Sequence, residues 1–207
     1  MSMARDGFVD AAFPLVGTSL PLDHGYALFS ALSRIEPALH TRSTWGVHPV
    51  RGTRSGPGVL QLDRRSLLKI RMPTIDVGAL LPLAGASLTV DGHDVRLGVI
   101  RLYPLEPSAR LRARFVTVKG FAEDPSAFRA ALARQVAHTA DLGQDPERVE
   151  IAVGPRRVMR VAQHTIVGYP VELTGLEADA SLAVQRVGLG GRRHMGAGIF
   201  VPPRGRG

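Results

Sequence analysis

The residues best able to do chemistry fall in one segment, Gly188-Leu189-Gly190-Gly191-Arg192-Arg193-His194-Met195-Gly196-Ala197-Gly198-Ile199-Phe200. Five glycines there enclose Arg192, Arg193 and His194. Glycine admits positive φ and lets the backbone approach a ligand closely. Successive N–H groups can then cradle a phosphate while arginines add charge-assisted hydrogen bonds. Gly188, Gly190, Gly191, Gly196, Gly198, Arg192, Arg193 and His194 are therefore candidate phosphate contacts. The segment follows a predicted helix and precedes a predicted strand. A dinucleotide-binding loop runs in the opposite order, and a phosphate-binding P-loop needs a Lys-Ser/Thr pair that is missing here. No nucleotide cofactor is expected. A second basic cluster, Arg156, Arg157 and Arg160, follows Gly154-Pro155, and Lys119 lies on a predicted strand with Arg114.

These residues need a frame. Phe8 to Val16 reads as a strand, and Tyr26, Leu28, Phe29, Leu32 and Ile35 give a helical apolar face opened by Asp23 and ended before Pro37. Strands are predicted at 45–50, 58–62 and 66–72, and a short helix over 75–83. A hairpin turns at Asp91-Gly92 between strands 87–90 and 95–102. The second half repeats the order: strand 111–119, a helix from Asp124-Pro125 to about Ala140, strands 149–153, 158–161 and 166–173, helix 177–187, and strand 197–201. Each half thus reads strand–helix–strand–strand–helix–strand, the ferredoxin-like unit. The fold class is α+β, with two tandem ferredoxin-like (RRM-like) domains, 1–104 and 105–207, and a C-terminal glycine-rich loop. Their joint is marked by Pro104, Pro107 and Ser108.

Composition bounds the partner. The chain of 207 residues has 26 basic and 18 acidic side chains, a net charge of +8, and only Lys69 and Lys119 among the basic residues are lysines. The arginine fork pairs bidentately with phosphate, so a polyanion such as nucleic acid is the first partner to consider. After Asp179 come Arg186, Arg192, Arg193, Arg204 and Arg206 with no acidic residue between them. The absence of cysteine removes thiolate nucleophiles, disulfides and Cys-ligated metals. No apolar run approaches the roughly 18 residues of a membrane span. The protein reads as cytoplasmic, with no membrane partner. Aromatic residues make up 5% of the chain, too few for an extended base-stacking platform.

The form Gly-x-Gly-Gly-Arg-Arg-x-Met-Gly-x-Gly-x-Phe, late in a basic duplicated ferredoxin-like chain, resembles the CRISPR-associated repeat-processing (pre-crRNA) endoribonucleases. These belong to the repeat-associated RNA-binding protein (RAMP) group. Asp23-His24-Gly25-Tyr26-Ala27-Leu28, Gly46-Val47-His48-Pro49-Val50 and Val116-Thr117-Val118-Lys119-Gly120-Phe121 agree with it, and the resemblance spans roughly Phe8 to Pro203. It implies cleavage of a CRISPR precursor transcript within each repeat. It also implies a repeat RNA stem–loop (crRNA) as partner, and other subunits of an interference complex. The alternatives are a non-catalytic RNA-binding subunit of a ribonucleoprotein complex and, outside the group, a basic RNA-associated binding domain.

The resemblance also implies a metal-independent mechanism. The upstream 2′-hydroxyl attacks the scissile phosphate, leaving a 2′,3′-cyclic phosphate and a 5′-hydroxyl. That step needs a base, an acid and cations for the phosphate. No metal is expected: there is no His-x-x-x-His and no tight carboxylate cluster. In the family the catalytic histidine lies at or just after the end of the first helix. His40 holds that place and is the first candidate; His48 is the second, and Ser33 is a candidate partner. His24 is read as part of the helix start, His93, His138 and His164 as turn or helix-end residues. The lysine that often accompanies the histidine is missing, leaving Arg42 or Arg51 for the cation. Arg156, Arg157 and Arg160 match a β-hairpin that enters a groove of the repeat stem, with Lys119 a weaker contact.

Overall fold

The computed structural model describes residues 7–121, 123–143 and 148–203. Arg204 and Arg206 of the basic stretch lie outside them. The chain divides into two units, Met1–Pro104 and Leu105–Gly207.

The first unit is built on β1 (Phe8–Gly17), which buries Ala11, Phe13 and Leu15 at alternate positions. After β2 (Ser19–Pro21) comes α1 (Gly25–Ile35), whose Leu28, Phe29 and Leu32 are buried. The strands β3 (Gly46–Val47), β4 (Thr53–Arg54), β5 (Val59–Gln61) and β6 (Leu67–Pro73) follow. Then come a 3₁₀ helix Thr74–Leu83, the hairpin β7 (Ser87–Val90) with β8 (His93–Leu97), and β9 (Arg101–Pro104). The strands β3, β6, β1 and β9 hydrogen-bond side by side in that order, all antiparallel. That is the ferredoxin-like arrangement, with β8 and β7 added beside the end of β1.

Several predicted elements change here. The helix over 75–83 is 3₁₀, since Pro82 lies inside it and removes a donor from its last turn. His24, not Asp23, is the N-cap of α1 and supplies no side-chain cap. Strand 45–50 shrinks to Gly46–Val47. The run 95–102 splits where Gly98 N–H turns aside to donate to the Pro14 carbonyl. The Asp91-Gly92 turn holds, with both residues at positive φ as a two-residue hairpin demands.

The second unit opens with β10 (Arg110–Val116) and α2 (Pro125–Thr139). Asp124 caps α2 by accepting from the Ser126 and Ala127 N–H groups at 2.8 and 3.2 Å, and Pro125 fills its first position. Then come β11 (Glu150–Val153), β12 (Arg157–Val161), β13 (His164–Thr174) and α3 (Ala178–Val187). Phe128, Leu132 and Val136 of α2 and Val184 of α3 share one core with Leu111, Ala113, Val171 and Leu173. The far half of β13 pairs with β10 and β11; its near half pairs with β12 as a projecting hairpin. The predicted strand 197–201 is reduced to a bridge from Val201 to Arg112, on the free edge of β10. This gives the same antiparallel order of four.

Candidate functional site

His40 is placed by a chain of local causes. Pro37 ends α1, and Glu36 caps the following 3₁₀ turn Pro37–His40 by accepting from the Ala38 N–H at 2.9 Å. Leu39 is fully buried and anchors that turn, while His40 is exposed. The imidazole stands edge-on to the Phe29 ring, with centroids 4.9 Å apart. Downstream, Asp76 accepts from Trp45 Nε1 at 2.9 Å and from Arg42 Nη1 at 3.3 Å. His40 is thus a solvent-facing imidazole on a fixed support. Arg42, one possible cation, is already ion-paired with Asp76.

The other two histidines of this unit's first half are committed to structure. His24 Nδ1–H donates to the Pro21 carbonyl at 2.9 Å, and Nε2 accepts from the Val50 N–H at 3.0 Å. Each partner offers only one role, so the ring is the neutral Nδ1–H tautomer. His48 is buried, and its Nε2–H donates to Asp10 Oδ1 at 3.2 Å. Asp10 is also gripped bidentately by Arg71, from Nε at 2.7 Å and Nη2 at 3.1 Å. Burial alone would raise the Asp10 carboxyl; hydrogen bonds and charge from His48 and Arg71 outweigh it and hold it far below the ordinary carboxylate range. Burial pushes the His48 imidazole below its ordinary range, with Asp10 opposing. Ser33 is also buried within α1, where its hydroxyl donates to the Phe29 carbonyl at 2.8 Å.

In the second unit, the glycine-rich segment is fastened to the end of β10. Gly198 N–H donates to the Phe115 carbonyl at 2.8 Å, Gly191 N–H to Thr117 at 3.0 Å and Leu189 N–H to Gly198 at 3.2 Å. Gly190 N–H donates to Gln135 Oε1 on α2 at 2.8 Å, and Gly188 N–H closes α3 on Val184. Gly196 N–H donates to the Arg193 carbonyl at the end of a short 3₁₀ turn. The glycine N–H groups expected to cradle phosphate are therefore spent inside the protein. What the loop offers outward is Arg192, exposed and held in the left-handed region at φ 66°, with His194 half-buried beside it. Arg193 turns inward and is buried against Gly188. Lys119 is exposed just past β10.

Arg157 and Arg160 lie on β12 and Arg156 just before it; all three are exposed. Strand alternation sends Arg157 and Arg160 to opposite faces, and Met159 and Val161, on the face of Arg157, are buried in one cluster with Ala197. The cluster is thus a two-sided basic hairpin. Arg156 also lies 3.6 Å from Glu123. The remaining histidines are spread: His93 Nδ1 meets the Ser19 hydroxyl at 2.9 Å, and His138 and His164 are exposed. Among the described residues no group of three or more acidic or histidine side chains could hold a metal ion, and no helix is long and apolar enough to cross a membrane.

A family model described as Cas6 CRISPR matches residues 9–205. The chain belongs to the Cas6 family. A Cas6 relative, the CRISPR-associated endonuclease Cas6 of Myxococcus xanthus, is 46% identical over 95% of this chain and 82% of its own length. Among solved structures, a CRISPR associated protein Cas6 superposes with TM-score 0.64 at 11% identity, covering 96% of this chain and 99% of its own. A RAMP protein described as binding different RNA substrates gives 0.66 at 12%, covering 94% and 98%. A Cas6-related protein from Pyrococcus furiosus gives 0.62 at 13%, covering 94% and 97%. At these identities the structures bear on the fold alone, which is the ferredoxin-like one described above.

The glycines of this Cas6 loop are needed for closure, and substitution should show it. A Cβ on Gly198, at φ +67°, would stand 2.2 Å from the Leu189 carbonyl oxygen; one on Gly190 would meet that of Thr117 at 2.3 Å. Gly191 has nothing within 4 Å. We expect Gly198→Ala to cost at least the roughly 1–3 kcal/mol of a strained backbone, measured by urea unfolding. Gly191→Ala should stay within about 0.5 kcal/mol of wild type. Sequence reasoning missed Gln135 and Thr117, which hold the loop, and Asp10 with Arg71, which hold His48. No local signal marks them, because each acts on a residue distant in the chain.

Proposed function

We propose that this Cas6 chain is an endoribonuclease that cuts precursor CRISPR RNA within its repeats. The relative from Myxococcus xanthus carries the name of an endonuclease, and 46% identity over nearly the whole chain supports the same chemistry here. The observation that carries the catalytic assignment is the division of labour among the candidates. His24, His48 and Ser33 are each held by internal hydrogen bonds, whereas His40 is exposed on a buttressed turn. Histidine is the side chain most often used for such a proton transfer, whether as base or as acid.

In this reading His40 takes the proton of the 2′-hydroxyl, or gives one to the departing 5′ oxygen. The 2′ oxygen forms its bond to phosphorus as the bond to the 5′ oxygen breaks, giving a 2′,3′-cyclic phosphate and a 5′-hydroxyl. No metal is needed for that exchange. RNA is held by Arg192 with His194, by Lys119, and by the hairpin that bears Arg156, Arg157 and Arg160. The repeat stem–loop suits this hairpin, and the product is retained for an interference complex. The chain is incubated with its cognate repeat RNA in EDTA, and the product ends are analysed. Single-site cutting with a cyclic phosphate supports the reading. Tight binding without cutting would establish instead the non-catalytic RNA-binding subunit.

A further inference from the structure

Between β3 and β6 the first unit carries a small antiparallel arm, in which β5 pairs with β4 on one side and β2 on the other. Every residue from Arg51 to Gly58 is exposed, as are Gln61, Asp63, Arg64 and Arg65. Residues 51–66 hold four arginines and one acidic residue. None of the ion pairs among the described residues involves Arg54, Arg64 or Arg65.

Hydrogen bonds and close backbone packing hold the arm together. Gly52 lies so close to β5 that a Cβ there would stand 2.2 Å from the Gln61 carbonyl oxygen. Leu62 N–H donates to Thr18, and Leu22 N–H to Gly58. The buried Ser66 hydroxyl donates to the Arg51 carbonyl at 2.7 Å and accepts from the Asp63 N–H at 3.0 Å. Asp63 in turn accepts from the Arg65 N–H at 2.7 Å, which fixes the turn that displays Arg64 and Arg65. At the arm's base, His24 ties the Pro21 carbonyl to the Val50 N–H. His24 is also the N-cap of α1, the helix that leads to His40. The arm and the His40 turn therefore share one scaffold.

We infer that this arm is a second RNA-binding surface, in which Arg54, Arg64 and Arg65 contact the phosphate backbone of the RNA substrate. The inference rests on the RNA-processing reading above. Arginine is the side chain that grips phosphate bidentately. These exposed positions of the arm carry arginine, glycine, threonine, serine, proline, glutamine and aspartate, with no aromatic or aliphatic anchor. Protein interfaces depend on such anchors, and no aromatic ring offers a stacking platform, so the surface suits a backbone polyanion rather than a protein.

The test is the salt dependence of binding to cognate repeat RNA in EDTA, for wild type and for Arg54→Ala/Arg64→Ala/Arg65→Ala. Each contact to single-stranded RNA contributes about 0.7 to the slope of log K against log[salt], so the triple variant should be shallower by about 2 and bind more weakly at low salt. The corresponding triple lysine variant should recover most of the slope, with thermal midpoints unchanged throughout. Should the triple alanine variant lose its melting transition, the single variants carry the test at about 0.7 each. Unchanged slope and affinity would overturn the inference. So would polyglutamate that displaces RNA from wild type as well as an RNA of equal charge, since the arm would then suit an acidic protein. Binding is read separately from cutting, so wild type that binds without cleaving would defeat the endoribonuclease reading and leave the slope comparison intact.

Discussion

Replacing His40 with alanine is expected to slow cleavage of repeat RNA by about 10²- to 10⁴-fold, the usual contribution of a positioned general acid or base. Affinity for the RNA should stay within about twofold, because a lone imidazole adds little to an interface dominated by arginine and phosphate. Single-turnover cleavage beside filter binding separates the two quantities. The fold should also survive. His40 is exposed, and its turn is held by Leu39, by the Glu36 cap and by Asp76 with Trp45, none of which the substitution touches. A His40→Ala enzyme that cuts at the wild-type rate would remove this residue from the mechanism.

The largest loss of stability is expected at Asp10. Its carboxylate is the common acceptor for Arg71, which is 1% exposed, and for His48, which is 8% exposed. Asp10→Ala would bury a guanidinium without that carboxylate and strip His48 of its acceptor. Breaking a buried ion pair in this way costs about 3–5 kcal/mol. The same cluster sets the acid limit of the fold. Because burial lowers His48 in the folded protein, the unfolded chain takes up a proton that the folded one refuses. Stability is therefore complete above the unfolded value near pH 6.5 and declines as pH falls below it. A second decline sets in below about pH 4, where the unfolded Asp10 protonates and the folded one, held lower, does not. Urea unfolding at pH 7.5, 5.5 and 3.5 should show both declines in wild type, with the first reduced in His48→Gln. Wild type that keeps its full stability to pH 3.5 would contradict this account of the cluster.

Much of the architecture is legible along the chain because its determinants are local. Apolar spacing marks α1 and α2, Asp124-Pro125 marks a helix start, and Asp91-Gly92 marks a hairpin. The site is less legible because its decisive contacts are remote. His48 looks like a proton-transfer candidate until Asp10, 38 residues away, and Arg71 are seen to enclose it. Glycines 188 to 198 look like a phosphate nest, yet their N–H groups are claimed by Thr117, Phe115 and Gln135, the last 55 residues from Gly190. Sequence reveals that a backbone can bend; it does not reveal which carbonyl waits beside the bend. Within the arm between β3 and β6 the sequence pattern predicts only the strand 58–62, since the charge is divided between two short segments that β4 and β5 bring together.

The proposed reaction makes the 2′-hydroxyl of the RNA the nucleophile, served by His40. It is tested most directly by offering the protein, in EDTA, repeat RNA with a single 2′-deoxy nucleotide immediately upstream of the scissile phosphate. Unimpaired binding and no cut at that site are expected, beside normal cutting of the unmodified RNA. Cleavage of the deoxy substrate, or cleavage of the normal one only after divalent metal is restored, would contradict that reaction.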